Sequence, residues 1–409
     1  MAPTLKTRLR VFIPFALGYY LSYLYRVVNA VIAPDLISDL GIGPSELGLL
    51  TAAYFMTFAA AQLPLGVFLD RLGPRQSESF LLIFAGLGAF VFAQAETMTG
   101  LVAGRAFIGL GVSACLMASF KAFVLWFPSQ QLPRINGFQM AAGGFGALTA
   151  TAPVEALLGM TDWRSIFTGL AVTTLAVGAV LFWVVPERQP EEVQTGNRLR
   201  EQLQGIIRVF SSATFWRIAP LTTMSQAAFL AIQGLWAGPW LRDVAQMARA
   251  DAARALLWVA VAMICGFILW GTVAERLSRV GIKPIVVAVT GMTIFMAIQA
   301  FIILGLTTWT LALWVLFGFF GTTGIIPYAV LSQSFPAYLS GRVNTGVNLL
   351  VFLTAFAGQW GIGAVINRWP KSPGGAYAPP GYQAGFTMML ALQAMGLLWF
   401  IIAGIRAHR

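Results

Sequence analysis

Charge is the scarcest commodity in this 409-residue chain: Asp, Glu, Lys and Arg together make up 10% of it, against about 25% in an ordinary soluble domain. Histidine is nearly missing, with His408 in the C-terminal tail as its one occurrence. An H-E-x-x-H metal pair therefore cannot be built, and no G-x-x-x-x-G-K-[ST] loop is present to hold a nucleotide. A hydrolytic metalloenzyme and a nucleotide-driven pump are both excluded, and neither a cofactor nor a metal is expected. The only two cysteines, Cys115 and Cys265, lie inside apolar segments, so a disulfide framework is not the basis of the fold.

What the chain has instead is apolar length. Hydrophobic residues make up 58% of it, and the mean hydropathy is +0.77. A spanning helix needs about 20 mostly apolar residues. Twelve such runs lie near 12–34, 47–69, 78–95, 98–126, 136–158, 164–185, 216–240, 254–274, 284–305, 308–334, 342–366 and 383–404. Their length fits helices, because a barrel strand alternates and ends after about 10 residues. The expected fold is an all-α membrane protein embedded in the lipid bilayer. The opening "MAPTLKTRLRVFIPFALGYY" reads as a retained first span, its apolar run being too long for a signal peptide.

The net charge of +11 does not mark a nucleic-acid binder, since the bases fall in short clusters between apolar runs and form no patch interleaved with exposed aromatics. Counted in alternate loops, 18 Lys and Arg fall on one side and six on the other. That places both termini in the cytoplasm. The longest polar stretch, 186–217, divides the chain into an N-terminal bundle (1–187), a linker (188–213) and a C-terminal bundle (214–409). The linker can form an amphipathic surface helix with Leu203, Ile206, Ile207 and Phe210 on one side.

The loop after the second span reads "GVFLDRLGPRQ", and that after the eighth reads "GTVAERLSRVGIKP". Both run Gly, three residues, acid, Arg, Leu, then a Gly and a base, so the two halves are duplicates. With "GRAFIGLG" (104–111), "GGFGALTATAP" (143–153) and "KAFVLWFP" (121–128), the chain resembles the major facilitator superfamily, and among its branches those that carry organic anions and phosphate esters. The resemblance implies two pseudo-symmetric six-helix bundles in a bacterial plasma (inner) membrane, working as a monomer by alternating access about a midplane site. It also implies that the signature loop is a conformational latch. There Gly66 would allow close helix packing, and Asp70 would accept from the helix start in "LSGRVNTG" (339–346). Arg71 and Arg75 would cluster with Asp70 beyond the turn at Gly73, and Glu275 and Arg276 would serve the mirrored contact. Arg105 stands where the family's fourth-helix motif has an Arg that contacts neighbouring helices and assists proton movement.

The stretch "GYYLSYLYRVVNAVIAPDL" (18–36) places Arg26 near the middle of the first span. Even a modest insertion scale charges about 2.5–3.5 kcal/mol for Arg at that depth. Tyr19, Tyr23 and Asn29 share its helical side, while Leu17, Leu21, Leu24, Val28 and Ile32 form the other. Arg26 is therefore expected to look into a wet cavity between the halves and to face an anion. Lys121 is a candidate second cation, suited with Arg26 to a carboxylate or phosphate. Arg105 lies sixteen residues away from it, about 24 Å along one helix and about 160° around it. Neutral cavity candidates are Gln226, Gln233 and Trp236 on the seventh span, Tyr328 on the tenth and Asn348 on the eleventh.

Function follows as a secondary transporter of a small solute, an organic anion before a sugar or peptide. No central acid is evident, since Asp35 and Glu155 lie toward span ends and Asp70 belongs to the latch. Proton coupling, exchange against a counter-anion and facilitated passage all stay open. The rival readings are a transporter-like sensor, which would move nothing in proteoliposomes, and an exporter of amphipathic or peptide-like compounds.

Overall fold

The computed structural model describes residues 5–127, 132–187, 198–336, 339–370 and 376–407, and every regular element among them is helical. Helices follow from the surroundings: lipid offers no partner to a backbone N–H or C=O, so each apolar segment must satisfy its own. The chain divides into two compact units, residues 1–41 with 53–196 and residues 42–52 with 197–409.

The first unit is built from α1 (Leu5–Val27), α2 (Asn29–Leu40), most of α3 (Pro44–Arg71), α4 (Gly73–Gln94), α5 (Met98–Val112), α6 (Cys115–Trp126), α7 (Leu132–Thr149), α8 (Ala152–Leu158) and α9 (Trp163–Val184). The second contains α10 (Arg198–Phe210), α11 (Ala213–Ala231), α12 (Ala237–Asp243), α13 (Arg249–Arg279), α14 (Pro284–Ile303), α15 (Thr310–Gly321), α16 (Ile326–Gln333), α17 (Ser340–Ile366) and α18 (Pro379–Ala407). By length and composition, eight helical stretches among the described residues can each cross a membrane, or nine when α1 and α2 count as one span bent by 47°. The twelve apolar runs of the sequence map onto these rods, with several broken into two helices. The protein is a multi-pass integral membrane protein.

Caps and turns explain the ends. Asp162 opens α9 by accepting from Ser165 N at 2.6 Å, and these backbone donors hold its carboxyl below the usual carboxylate range. Between α3 and α4, Gly73 stands at φ +77°, a left-handed conformation that side chains resist.

Within a bilayer no hydrophobic force draws helices together, so close approach at small residues has to do it. The "GRAFIGLG" motif serves this end: a Cβ on Gly104 would come within 2.7 Å of Phe92 N, and one on Gly111 within 2.2 Å of Ala85 N, so α5 lies directly on α4. Larger side chains fill what remains in the first unit, where Val11, Phe15, Leu69, Phe123 and Leu181 share a core. In the second unit Leu221, Ala288, Met292 and Ile326 do the same.

The linker helix turns one side to the second unit. Val209 is buried and Ile207 is 62% exposed, while the Leu203 side chain lies outside the described residues. Arg342 of α17 covers Gly205, and Phe210 rests on Gly346. The helix is thus docked on α17 at Gly205 and Phe210, because the glycine leaves room for the arginine side chain.

Candidate functional site

At the end of α1, Arg26 is only 7% exposed. Its guanidinium lies over the Tyr23 ring at 4.4 Å and the Phe58 ring at 5.5 Å. Tyr54 and Tyr19 are its other electrostatic neighbours. Ring faces carry the negative lobe of the π quadrupole and replace much of the guanidinium's hydration shell. Tyr54 in turn is fixed by donating to the Ser22 carbonyl at 3.2 Å. The Gly-rich motif of α7 makes room for these rings. A Cβ on Gly143 would meet Tyr19 Cε1 at 2.5 Å and Tyr23 Cδ2 at 2.7 Å, and one on Gly146 would meet the Tyr20 carbonyl at 2.0 Å.

One residue beyond Arg26 the helix breaks. α1 ends at Val27, and α2 starts at Asn29 with a 47° change of direction. Asn29 is fully buried, and neither its Oδ1 nor its Nδ2 has a hydrogen-bond partner. A buried amide so placed is costly to leave unmade and is suited to a ligand or a water. The Tyr23–Arg26 pair thus stands at a helix break, with Asn29 the first residue beyond it.

The duplicated half breaks in the same place. Gly66 and Gly271 of the signature loops are 205 residues apart (271 − 66), and that offset carries Val28 onto Gln233. There α11 gives way to a π-turn, Ile232–Trp236, before α12 begins. π-turns inside helices recur at functional sites. The fourth and tenth spans are interrupted too, though not at the same offset, α5 giving way to α6 after Val112 and α15 passing through a 3-10 turn, Thr322–Ile325, into α16.

In the second unit, Tyr328 donates to Asn348 Oδ1 at 2.9 Å and Ser332 to Asn344 Oδ1 at 2.7 Å, which ties α16 to α17. Gln226 donates to the Gly321 carbonyl at 3.0 Å. Trp236 Nε1 donates to the Gln359 carbonyl at 2.9 Å, and Gln233 is buried on the same π-turn. Most of these neutral candidates thus make interhelical hydrogen bonds.

The two cations of the fourth span part ways. Arg105 is 1% exposed and donates to the Tyr25 carbonyl at 3.0 Å, pinning α5 to the last turn of α1. Lys121 donates to the Leu69 carbonyl at 2.8 Å, near the C-terminus of α3, where a cation complements the helix dipole. Leu69 is eleven residues along α3 from Phe58, about 16 Å, so Lys121 is tied to α3 some three turns from the Arg26 cage.

At the latch, Gly66 has no described atom within 4 Å of where a Cβ would stand, so close packing there is not seen. Arg75 donates to Glu187 at 3.0 Å and to the Val185 carbonyl at 3.3 Å, clamping the end of α9. Glu275 accepts from Arg279 at 2.6 Å, and Arg71 and Arg276 are exposed. The Asp70 side chain lies outside the described residues.

One ionisable group escaped the sequence reading. Glu78, on α4, has no exposed surface, and no nitrogen or hydroxyl group donates to either carboxyl oxygen; the Cys115 thiol is the polar group within reach of it. It is the first residue of the third apolar run, 78–95. The serines on either side, Ser77 and Ser79, are equally buried, and they were the available signal.

The fold and these motifs define a family. Residues 15–359 match the model of the Major Facilitator Superfamily, and the chain belongs to it: a transporter, not an enzyme. Among its relatives is the probable sulfoacetate transporter SauU of Cupriavidus necator, 24% identical over 68% of this chain and 67% of that protein. The probable L-galactonate transporter of Escherichia coli is 26% identical over 42% of this chain and 38% of its own length. Among solved structures, a bacterial homolog of the human lysosomal transporter Spinster, inward-facing and unoccupied, superposes with a TM-score of 0.78 at 16% identity, covering 98% of both chains.

Proposed function

We propose that this chain is a secondary transporter of small organic anions in a bacterial plasma membrane. It works by alternating access with both termini in the cytoplasm, and Arg26 is the group that meets the cargo's negative charge. The observation that carries this reading is a buried guanidinium caged by Tyr23 and Phe58, one turn from a buried, unsatisfied Asn29 amide, at a break in the first span. A caged guanidinium offers a carboxylate or sulfonate a fork of donors. Asn29 adds a donor and an acceptor for the cargo's hydroxyl or carbonyl. The relatives named for sulfoacetate and L-galactonate support the same class. Gln233 and Trp236, on the π-turn at the duplicated position, are the matching candidates of the second half, followed by Tyr328 and Asn348.

The test is thermal stabilisation of the purified protein by sulfoacetate, L-galactonate, a phosphate ester and the neutral sugar galactose. Stabilisation by anions and not by galactose is expected, and it should vanish in Arg26→Gln. Equal stabilisation by galactose would remove the anion from the reading.

A further inference from the structure

The interior of the first unit holds an acid that the anion site does not use. Glu78 Oε1 lies so close to α1 that a Cβ on Gly18 would come within 2.2 Å of it, with Cys115 Sγ 3.7 Å from the same point. The carboxyl therefore fills the notch that Gly18 leaves in α1, and α6 closes the notch with a thiol. Gly18, Ser22 and Arg26 recur every four residues, so the notch and the guanidinium share one face of α1, about 12 Å apart along its axis.

The other charged and titratable groups around it are few. α1 contributes Tyr25, whose hydroxyl meets Thr174 of α9 at 2.8 Å, and Arg26. α5 contributes Arg105, held by the Tyr25 carbonyl, and α6 contributes Cys115. On α4 itself Arg75 is engaged by Glu187. The only ionisable residue of α9, Arg164, is bound at the opposite end of α4 by the Ala93 and Ala95 carbonyls.

We propose that Glu78 is the proton-binding site of this carrier. A carboxylate whose one donor is a weak thiol, in a sealed notch, is strongly disfavoured, whereas the neutral acid fits there beside the thiol. In this arrangement Glu78 carries its proton. When α1 moves at its break after Val27 and the notch admits water, the O–H bond ionises and H⁺ passes to the water at the Gly73 end of α4. Gly18 and Arg26 ride on one continuous helix, so the proton on Glu78 and the charge held at Arg26 bias the position of the same element. Two ligands that bias one two-state element are coupled. The coupling to cargo rests on the anion reading above; the proton site itself does not.

Two measurements on the purified full chain decide it. In infrared difference spectra between acid and alkaline pH, the wild type should show a protonated-carboxyl band that persists at neutral pH. That band should be lost in Glu78→Gln and shifted in Cys115→Ala. In proteoliposomes, an imposed acid-outside gradient should raise uptake of labelled L-galactonate at least about tenfold in the wild type. Glu78→Gln should show no response to the gradient, whatever its absolute rate. Absence of the band from the wild type, or a Glu78→Gln variant that responds to the gradient like the wild type, would overturn the assignment. A wild type that moves no L-galactonate but keeps the band contradicts the cargo reading and leaves the proton site standing.

Discussion

The residue that decides most is Arg26, whose surroundings separate geometry from charge. Lysine keeps the positive charge but loses the planar fork and the ring stacking. Arg26→Lys should therefore weaken anion binding in part, and Arg26→Gln should weaken it at least about tenfold, or about 1.4 kcal/mol, as read by ligand titration. An equal effect of the two would assign the site to charge alone. Gly143 is the corresponding packing test. A Cβ there meets two tyrosine rings under 3 Å, so Gly143→Val should destabilise by about 1–3 kcal/mol, the usual cost of overpacking, with Arg26 displaced and thermal unfolding as the readout. The stripe of Tyr19, Tyr23, Arg26 and Asn29 was legible in the sequence, because helical spacing alone puts these residues on one side. The cage was not, since Phe58 and Tyr54 arrive from α3, and spacing within one helix says nothing about a neighbour's side chains. Glu78 was illegible for a related reason: burial at the start of a span depends on what packs over it, here Gly18 and Cys115.

At the scale of elements, apolar run length and the duplicated loop made the twelve passes and the two halves readable, since lipid leaves a buried segment no alternative to helix. The breaks were not readable. Nothing in "LYRVVNA" is a helix breaker, and the single Gly234 of "IQGLW" is a weak one that many spanning helices carry without a break. The linker helix gives a direct test. Gly205 carries Arg342 on its surface, a Cβ there lying 2.5 Å from Nη1. Gly205→Leu should detach the helix from α17 and raise amide hydrogen exchange over 198–210, while Gln204→Leu at an exposed neighbour should not. For the signature loop, Asp70→Ala should cut uptake several-fold at unchanged membrane expression. Unchanged uptake would remove the latch.

For the molecule as a whole, stability carries a pH signature from Asp243, which follows the seventh apolar run. Burial pushes its carboxyl above the ordinary carboxylate value, an effect only partly offset by Tyr382, which donates to Oδ2 at 2.6 Å, and by Tyr377 N at 3.2 Å. The folded chain therefore holds a proton that the unfolded chain releases near pH 4. Stability from this group is greatest below that value and falls as pH rises toward the folded-state pKa. Asp243→Asn should flatten the fall, as read from unfolding temperatures across that range; an unchanged slope would place the dependence elsewhere.

The most direct test of an anion carrier built around Arg26 is uptake of labelled sulfoacetate into proteoliposomes, compared between wild type and Arg26→Gln at matched reconstitution. The expected result is saturable uptake by the wild type, inhibited by L-galactonate and not by galactose, and loss of nearly all of it in the variant. Full uptake by Arg26→Gln would contradict the assignment of the cargo's charge to this guanidinium.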